Sequence, residues 1–519
     1  MKREDMIAQL EDHRQPWDLA IIGGGATGLG IAIDAAARGY KTLLLERRDF
    51  AQGTSSRSTK LVHGGVRYLQ QGNIPLVMEA LKERGILRQN APHLVRDQPF
   101  VVPNYDWWEA PFYGIGMRVY DLLAGRYGFG PSRNLSREET IERLPTIETE
   151  GLRGGVVYHD GQFDDARLAI NMAETAAEQG AVLLNYMPVT RLMITGDIVT
   201  GVVARDAETD TEYEIAARAV INATGPFSDA VRRMEDPEAP ALIAPSQGVH
   251  LVLPKEFLPG ENAIMVPHTD DGRVLFAIPW RGHVVVGTTD TPIDDIPEEP
   301  HAFPEEIEFL MGHAARYLSR DPGPEDVRSV FVGIRPLVRA AGAENTAALS
   351  RDHSLMISRG GLVSIGGGKW TTYRHMAEDA VDQAATLAGL PERPCVTRNL
   401  NIHGYHQHAS EFGELAVYGS DAVEIRAIVR EDATWAEPIH PALPVTGAEI
   451  VWAAREEMAR TLEDVLSRRT RALLFNARAS MEAAPAAAHI LALVLGRDEA
   501  WQHAQVEAFR ALAEGYMLP

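Results

Sequence analysis

A glycine-rich turn near the N-terminus constrains the fold of this chain most strongly. Residues 19–22 predict a buried parallel strand, and residues 29–38 predict a helix. Between them, Gly23, Gly25 and Gly28 fit the pattern G-x-G-x-x-G. Glycines in this setting let the backbone approach a pyrophosphate, whose negative charge is stabilised at the helix N-terminus. The sequence therefore predicts a dinucleotide-binding βαβ unit.

The second strand of this unit predicts how the nucleotide is held. Residues 42–45 read as a strand, and Glu46 follows at its end. An acidic residue at this point accepts hydrogen bonds from the adenosine ribose. The carboxylate disfavours NADP, and we interpret Arg47 and Arg48 as solvated loop charges. The pattern leaves FAD and NAD open, because both cofactors use the same half-site.

Further segments predict two sheets and a helical tail. Residues 220–225 read as a strand with a glycine turn, and residues 362–387 read as a strand, a glycine turn and a helix, so both return to the cofactor sheet. Other strands are predicted at 249–253, 273–280 and 284–288, the last two as a hairpin of a second sheet. A loop is expected at 54–69, and helices are expected at 74–88, 450–474 and 487–496.

Composition excludes several classes of function. The chain has 519 residues and a formal net charge of −22, which argues against a broad nucleic-acid-binding surface. Its single cysteine, Cys395, excludes an intrachain disulfide and a cysteine-based metal site, and it fits a reducing cytoplasm. We expect no transmembrane span, because the longest apolar runs are shorter than the roughly 18 to 20 residues required. We expect no bound metal.

The second glycine loop resembles a nucleotide-binding P-loop only superficially. A Walker motif requires a glycine where this chain has Val363, and Trp370 replaces the hydroxyl that binds magnesium. We therefore reject ATP binding. In a flavin site, the N–H groups of this loop would approach the cofactor, and Lys369 would supply positive charge.

Six motifs together carry a family resemblance. They are GGGATGLGIAIDAAARGY, TSSRSTKLVHGGVRYL, NATGPFSDAV, FVGIRPL, SRDHSL and GGGKWTTYR. With them the chain resembles the FAD-dependent glycerol-3-phosphate dehydrogenases. TSSRSTKLVHGGVRYL is the most specific of the six, because no generic requirement of the fold explains it.

The resemblance implies an α/β architecture. A glutathione-reductase-type FAD-binding Rossmann domain would be interleaved with a mixed-sheet substrate domain like that of D-amino-acid oxidases, followed by a C-terminal helical domain. We expect the oxidoreductase region at 1–390 and the helical domain at 391–519. Within the first region, the FAD-binding parts would be about 17–100, 150–230 and 330–390.

The resemblance also implies a reaction. sn-Glycerol 3-phosphate would lose a hydride from C2 to flavin N5 and become dihydroxyacetone phosphate, and the electrons would pass to a membrane quinone. A phosphomonoester needs several cations, preferably guanidinium groups with paired donors. The predicted cationic set is Arg67, Arg335, Arg351 and Lys369, with Tyr68 as a further substrate contact.

The proton of the C2 hydroxyl needs a base, for which a neutral imidazole is suited. His63 and His250 are the candidates, and the sequence does not choose between them. We expect noncovalent FAD contacts from Gly23, Gly25, Gly28, Glu46, Thr54, Ser55, Ala223, Gly225, Gly367, Gly368 and Lys369.

Three alternatives stay open: an alpha-glycerophosphate oxidase that uses oxygen, a dehydrogenase of another polyol phosphate such as erythritol phosphate, and a noncatalytic flavoprotein. Quinone use implies peripheral contact with the inner face of the cytoplasmic membrane by a cytoplasmic protein. The aromatic segment 106–127, which includes Trp107 and Trp108, is the candidate contact surface. A homodimer is the commonest oligomer for such enzymes.

Overall fold

The structure is a computed structural model, and it describes residues 1–519 except 71, 108, 268, 270–271, 340–351 and 519. The side chains of Arg67, Gln70 and Ala110 also lie outside the described part. The strands are β1 (Trp17–Ile22), β2 (Thr42–Leu45), β3 (Leu61–Val62), β4 (Arg96–Asn104), β5 (Arg133–Leu135), β6 (Gly154–Gln162), β7 (Val182–Leu184), β8 (Val189–Thr195), β9 (Ile198–Arg205), β10 (Glu212–Asn222), β11 (Ile243–Pro254), β12 (Ala263–Val266), β13 (Leu275–Trp280), β14 (His283–Gly287), β15 (Thr291–Pro292), β16 (Ser329–Val338), β17 (His353–Ile357) and β18 (Val363–Gly367).

The α-helices are α1 (Arg3–Asp12), α2 (Ala26–Ala37), α3 (Val66–Gln70), α4 (Ile74–Asn90), α5 (Glu109–Ala124), α6 (Arg137–Arg143), α7 (Asp165–Glu178), α8 (Ser228–Glu235), α9 (Pro304–Tyr317), α10 (Tyr373–Leu387), α11 (Ala422–Ile428), α12 (Gly447–Glu456), α13 (Ala472–Phe475), α14 (Ala477–Leu495) and α15 (Glu499–Glu514). Among the described residues, no helix is both long enough and apolar enough to cross a membrane.

The first sheet has the strand order β17-β18-β10-β1-β2-β7, with β8 and β9 attached through β10. The strands from β18 to β7 are parallel. Leu19, Ala20 and Ile21 of β1 are completely buried, as expected for a central strand covered by α2 on one face. The sequence prediction that two later segments return to this sheet is confirmed.

The second sheet is mixed and has the order β15-β11-β14-β13-β12-β4-β6-β3, with β16 paired to β11 and β5 paired to β6. Trp280 pairs with His283 at the turn between β13 and β14, which confirms the predicted hairpin. The strands β6 and β16 lie in this sheet. Residues 154–162 and 329–338 therefore do not belong to the parallel sheet, although we expected most of them in the FAD-binding parts. The domain boundaries themselves stay a prediction.

Two local predictions were wrong. Residues 66–70 form the short helix α3 where we expected only loop, because the glycines of this loop end at Gly65. The helix predicted over 450–474 is interrupted between α12 and α13 by a π-helical segment at Asp464–Arg469. The carboxylate of Asp464 accepts backbone N–H groups at 2.7 and 2.9 Å, which competes with a continuous helix.

Candidate active site

The first cavity lies where the parallel strands β1, β2, β10 and β18 end, and its volume is about 340 Å³. Crevices at the carboxyl ends of such strands bind dinucleotides. Ten of the residues predicted to hold FAD line it: Gly23, Gly25, Glu46, Thr54, Ser55, Ala223, Gly225, Gly367, Gly368 and Lys369. Sequence reasoning did not place Gln52, Phe227 and Met376 there. Gln52 and Met376 lie outside the six motifs, and Phe227 lies in NATGPFSDAV but was not singled out.

The turn after β1 requires glycine for two separate reasons. Gly23 has φ +111°, and a Cβ there would lie 2.6 Å from the carbonyl oxygen of Ala223. Gly28 lies within α2, does not line the cavity, and would bring a Cβ within 1.9 Å of the oxygen of Gly23. Gly28 therefore permits the close packing of helix against turn, whereas Gly23 and Gly25 border the space for the cofactor.

Glu46 stands at the end of β2 in the wall of the cavity. Its carboxylate accepts the N–H of Gly24 at 2.6 Å and the N–H of Arg48 at 2.8 Å. Burial raises the pKa of Glu46 in spite of these hydrogen bonds. The hydrogen bond to Gly24 fixes the carboxylate beside the glycine turn, where an adenosine ribose is bound in dinucleotide sites.

The loop after β18 closes the other side of the cavity. Gly367 and Gly368 have φ values of +75° and +74°, and the indole N–H of Trp370 donates to the carbonyl oxygen of Ser55 at 3.0 Å. The loop that follows β2 and the loop that follows β18 are therefore joined directly. A Cβ at Gly368 would lie 2.4 Å from the sulfur of Met376, so Met376 would have to move, and the positive φ of Gly368 disfavours any side chain there.

The second cavity has a volume of about 170 Å³ and lies against the mixed sheet. The predicted residues His63, Tyr68 and Arg335 line it together. Thr59, Arg273, Thr288, Thr289 and Asp290 line it as well, and the sequence analysis did not single them out. Arg273, two residues before β13, is a further cation in the lining of this cavity.

Arg335 is held in place by the end of β14. One guanidinium nitrogen donates to Asp290 Oδ1 at 3.1 Å, and the other donates to the oxygen of Thr289 at 3.0 Å and to Thr288 Oγ1 at 3.2 Å. A Cβ at Gly248 would lie 2.4 Å from this guanidinium group, so a glycine on β11 makes room for it. Fixed guanidinium groups of this kind recognise phosphate with little loss of side-chain entropy.

Tyr68 and Lys369 connect the two cavities. Tyr68 lines the second cavity, Lys369 lines the first, and the ammonium nitrogen of Lys369 lies 4.0 Å from the centroid of the Tyr68 ring. The backbone N–H of His63 donates to Thr371 Oγ1 at 3.1 Å, which ties the loop beside the second cavity to the loop after β18. The cavities therefore share a wall built from two neighbouring loops.

His250 does not line either cavity. It is buried on β11, its ring stacks on Phe331 with centroids 4.7 Å apart, and its Nε2 lies 2.9 Å from the hydroxyl oxygen of Thr59. Burial, followed by the nearby charges of Lys60 and Arg335, holds the pKa of His250 well below its usual value. His250 is therefore linked to the second cavity only through Thr59, which lines that cavity.

Two of the predicted cations cannot be placed. Arg351 and the side chain of Arg67 lie outside the described residues. The backbone of Arg67 belongs to α3, immediately before Tyr68.

A buried cluster of charges supports the loop that runs from the first cavity to the second. Asp165 accepts Lys60 Nζ at 2.7 Å, the Ser58 hydroxyl at 2.7 Å and Arg471 Nη2 at 3.0 Å. Lys60 and Arg471 both donate to the carbonyl oxygen of Ser56, at 2.9 and 2.8 Å. Arg471 precedes α13, so the C-terminal region reaches the support of both sites. Sequence reasoning missed this cluster because its members are far apart along the chain.

Comparison with known proteins gives consistent matches over the whole chain. Residues 18–374 match the model of the family described as FAD dependent oxidoreductase, and residues 365–502 match the C-terminal domain of alpha-glycerophosphate oxidase. The mitochondrial glycerol-3-phosphate dehydrogenase of Homo sapiens is 39% identical, over 98% of this chain and 74% of its own. The mitochondrial enzyme of Arabidopsis thaliana is 40% identical, over 96% and 86%. The crystal structure of the Bacillus halodurans glycerol-3-phosphate dehydrogenase complexed with FAD superposes with a TM-score of 0.81 at 30% identity, covering 100% of this chain and 98% of that one.

Proposed function

The chain belongs to the FAD-dependent glycerol-3-phosphate dehydrogenase family, and we propose that it oxidises sn-glycerol 3-phosphate to dihydroxyacetone phosphate where its two cavities meet. The contact between Lys369 and Tyr68 is the observation that carries this proposal, because it sets a dinucleotide cavity beside a cationic cavity of substrate size. A hydride acceptor and a small phosphorylated alcohol need this arrangement.

The first cavity is the proposed FAD site. The turn at Gly23 and Gly25 would hold the pyrophosphate at the start of α2, and the Glu46 carboxylate would accept hydrogen bonds from the ribose hydroxyls. The turn at Gly367 and Gly368 would border the flavin end. When bound, FAD supplies a hydride acceptor at flavin N5.

The second cavity is the proposed substrate site. Arg335, Arg273 and Lys369 would neutralise a phosphate that carries close to two negative charges. We propose that Arg67 and Arg351 complete this set, on the strength of their motifs. Asp290 offsets one positive charge and fixes the direction of the Arg335 guanidinium group.

His63 is the proposed general base. It lines the cavity directly, whereas His250 reaches it only through Thr59. In the reaction, the C2–H bond breaks and both its electrons leave with the hydride, while the hydroxyl proton moves to a ring nitrogen of His63 and the C2–O bond becomes a carbonyl. His250 is then a positioning residue that orients the Thr59 hydroxyl.

Anaerobic titration of the purified yellow protein tests cofactor and substrate together. sn-Glycerol 3-phosphate should bleach the flavin absorbance near stoichiometry, and glycerol and erythritol 4-phosphate in parallel samples should bleach it far less. Equal bleaching by erythritol 4-phosphate would favour a dehydrogenase of another polyol phosphate. No bleaching by any polyol phosphate would remove the enzyme proposal.

We propose a membrane quinone as the final electron acceptor, with peripheral membrane contact through α5. Phe112, Ile115, Val119 and Leu122 form one exposed apolar stripe at helical spacing, and Leu122 is 80% exposed. Trp107, which precedes the helix, is 77% exposed. Trp108, the other tryptophan of the predicted surface, lies outside the described residues.

A cationic cavity adjoins the C-terminal end of this stripe. The cavity is open, has a volume of about 810 Å³, and includes Lys82, Arg88, Arg126 and Arg398 in its lining. Such a cluster in a chain with net charge −22 suits anionic headgroups. An apolar stripe next to clustered cations is the surface expected of a protein that lies on a membrane.

Sedimentation with vesicles of mixed neutral and anionic phospholipid tests the surface. Ile115→Ser combined with Leu122→Ser should reduce vesicle binding at least tenfold. Leu493→Ser is the matched control, because Leu493 is 64% exposed on α14 and outside this stripe. Equal binding of both variants would remove α5 from the proposal.

Reoxidation of the reduced flavin distinguishes the acceptors. A soluble quinone analogue should reoxidise it much faster than air does. Reoxidation by oxygen at the same rate would favour an oxidase, which the match to the C-terminal domain of alpha-glycerophosphate oxidase makes the second candidate. We also propose that the protein resides in the cytoplasm at the inner face of the membrane and that it forms a homodimer. Gel filtration tests the dimer.

A further inference from the structure

A cluster of one imidazole and three carboxylates lies between α7 and the C-terminal region, away from the residues that line the two cavities. His403 Nε2 is 2.9 Å from Asp421 Oδ2 and 3.6 Å from Glu174 Oε2, and His403 Nδ1 is 2.6 Å from Glu178 Oε1. The glutamates belong to α7, and Asp421 immediately precedes α11. We propose that Glu174, His403 and Asp421 bind one divalent transition-metal ion, with Zn²⁺ the best match, and that this ion fastens α7 to the C-terminal region.

The separations fit a shared ion. The three candidate ligand atoms lie within 4.8 Å of one another. Ligands of a tetrahedral Zn²⁺ with bonds of roughly 2.0–2.1 Å are about 3.3 Å apart, which is between the two distances measured from His403 Nε2. One nitrogen and two carboxylate oxygens are ligands that suit Zn²⁺, and a fourth position would be left for solvent.

Glu174 supplies an independent observation. Its side chain is only 5% exposed, and its Oε2 has no hydrogen-bond partner although it points at the imidazole of His403. A buried carboxylate oxygen without a partner is costly, and a metal ion would satisfy it. Burial raises the pKa of Glu174 to about 8, so this carboxyl is strongly desolvated.

Glu178 completes the pattern of a metal-bound histidine. Histidine ligands usually donate their second ring N–H to a carboxylate, which fixes the tautomer and the ring orientation. Glu178 accepts from His403 Nδ1 in this way, so that Nε2 faces the other two carboxylates. The backbone N–H of His403 donates to Thr175 Oγ1 at 2.9 Å, and its oxygen accepts from Asn171 Nδ2 at 2.8 Å. Side chains on one face of α7 therefore hold the backbone of His403 in a fixed position.

The test uses the holoenzyme after treatment with a chelator and dialysis. Addition of Zn²⁺ alone should restore one ion per chain, measured by elemental mass spectrometry, and should raise Tm. Glu174→Gln should bind Zn²⁺ at least 100-fold more weakly with its flavin content unchanged. Glutamine matches glutamate in size and shape and carries no charge, so this variant is expected to fold.

Three further variants locate the ion. Glu178→Gln should weaken Zn²⁺ binding by roughly 10- to 100-fold, as is usual for a carboxylate behind a histidine ligand. His440→Gln should change nothing, because His440 pairs with Glu482 at 3.0 Å elsewhere on the surface. His375→Gln should also change nothing, although His375 lies in a second group of potential ligands with His353 and Asp379.

Any of three results would overturn the proposal. The first is a wild-type protein that takes up no Zn²⁺ at micromolar concentration. The second is an ion that stays in the Glu174→Gln protein, and the third is an ion that disappears from the His375→Gln protein.

Discussion

The imidazole Nε2 of His250 lies 2.9 Å from the hydroxyl oxygen of Thr59, which lines the second cavity, whereas His250 does not. The position of Thr59 distinguishes His250 from His63, between which the sequence did not choose. His63 faces the cavity itself, and His250 acts on it through a hydroxyl group.

The first prediction concerns His63→Asn. Loss of a general base slows proton transfer by about 10²- to 10⁴-fold, so the rate constant of flavin reduction should fall by that factor. Anaerobic stopped-flow mixing with sn-glycerol 3-phosphate measures it, and flavin content should be unchanged. Thr59→Val is the comparison, with an expected effect of less than tenfold. A larger loss in Thr59→Val than in His63→Asn would transfer the role of base to His250.

The second prediction concerns Arg335→Lys. An ammonium group cannot reproduce the guanidinium hydrogen bonds to Asp290, Thr288 and Thr289 that hold the positive charge in the cavity, and a lost hydrogen bond to a charged partner costs about 1.5–3 kcal/mol. KM for sn-glycerol 3-phosphate should rise by roughly 10- to 150-fold. Arg320→Lys is the control, because Arg320 is 65% exposed and pairs with Asp326 at 2.8 Å. An unchanged KM in the Arg335 variant would exclude a phosphate contact.

The third prediction concerns Gly23→Ala. The added Cβ would meet the carbonyl oxygen of Ala223 at 2.6 Å at a residue with φ +111°, so the turn beneath the cofactor has to move. We expect protein purified with little flavin, measured by the ratio of the visible flavin absorbance to the ultraviolet absorbance of the protein. Gly312→Ala on α9 meets no atom within 4 Å and should retain full flavin content.

The fourth prediction concerns pH. The pKa of folded His250 is well below 6.5, whereas an unfolded histidine titrates near 6.5. Below about pH 6.5 the unfolded chain therefore binds a proton that the folded chain does not, and stability falls as pH falls, by up to about 1.4 kcal/mol per pH unit. His250→Asn should flatten the pH dependence of the urea midpoint in this range. Parallel curves for wild type and variant would contradict the buried neutral imidazole.

The fifth prediction concerns Arg471→Met. Removing one partner from a buried ion cluster typically costs about 3–5 kcal/mol, and here it removes one of the two donors to the carbonyl oxygen of Ser56, next to the flavin cavity, and leaves only Lys60. Both the free energy of unfolding and the retention of flavin in dilute urea should fall. Arg497→Met is the control, since Arg497 pairs with Glu208 at a site where it is 40% exposed, and exposed pairs contribute little. Full flavin retention in the Arg471 variant would show that the C-terminal region does not support the loop.

The sequence by itself determined the parallel sheet and the glycine turns of the cofactor cavity. Short-range patterns are enough there, because one strand, one turn and one helix place Gly23, Gly25 and Glu46 in fixed relation. Motif resemblance also gave His63, Tyr68 and Arg335, which the structure brings to one cavity.

Only the tertiary structure decided which histidine faces the substrate cavity, and only it joined Asp165, Lys60 and Arg471 under the loop between the two cavities. The same holds for Glu174, His403 and Asp421. A buried charge and an exposed one are the same letter in a sequence, and their difference arises when strands and helices far apart along the chain pack together and remove water from between them.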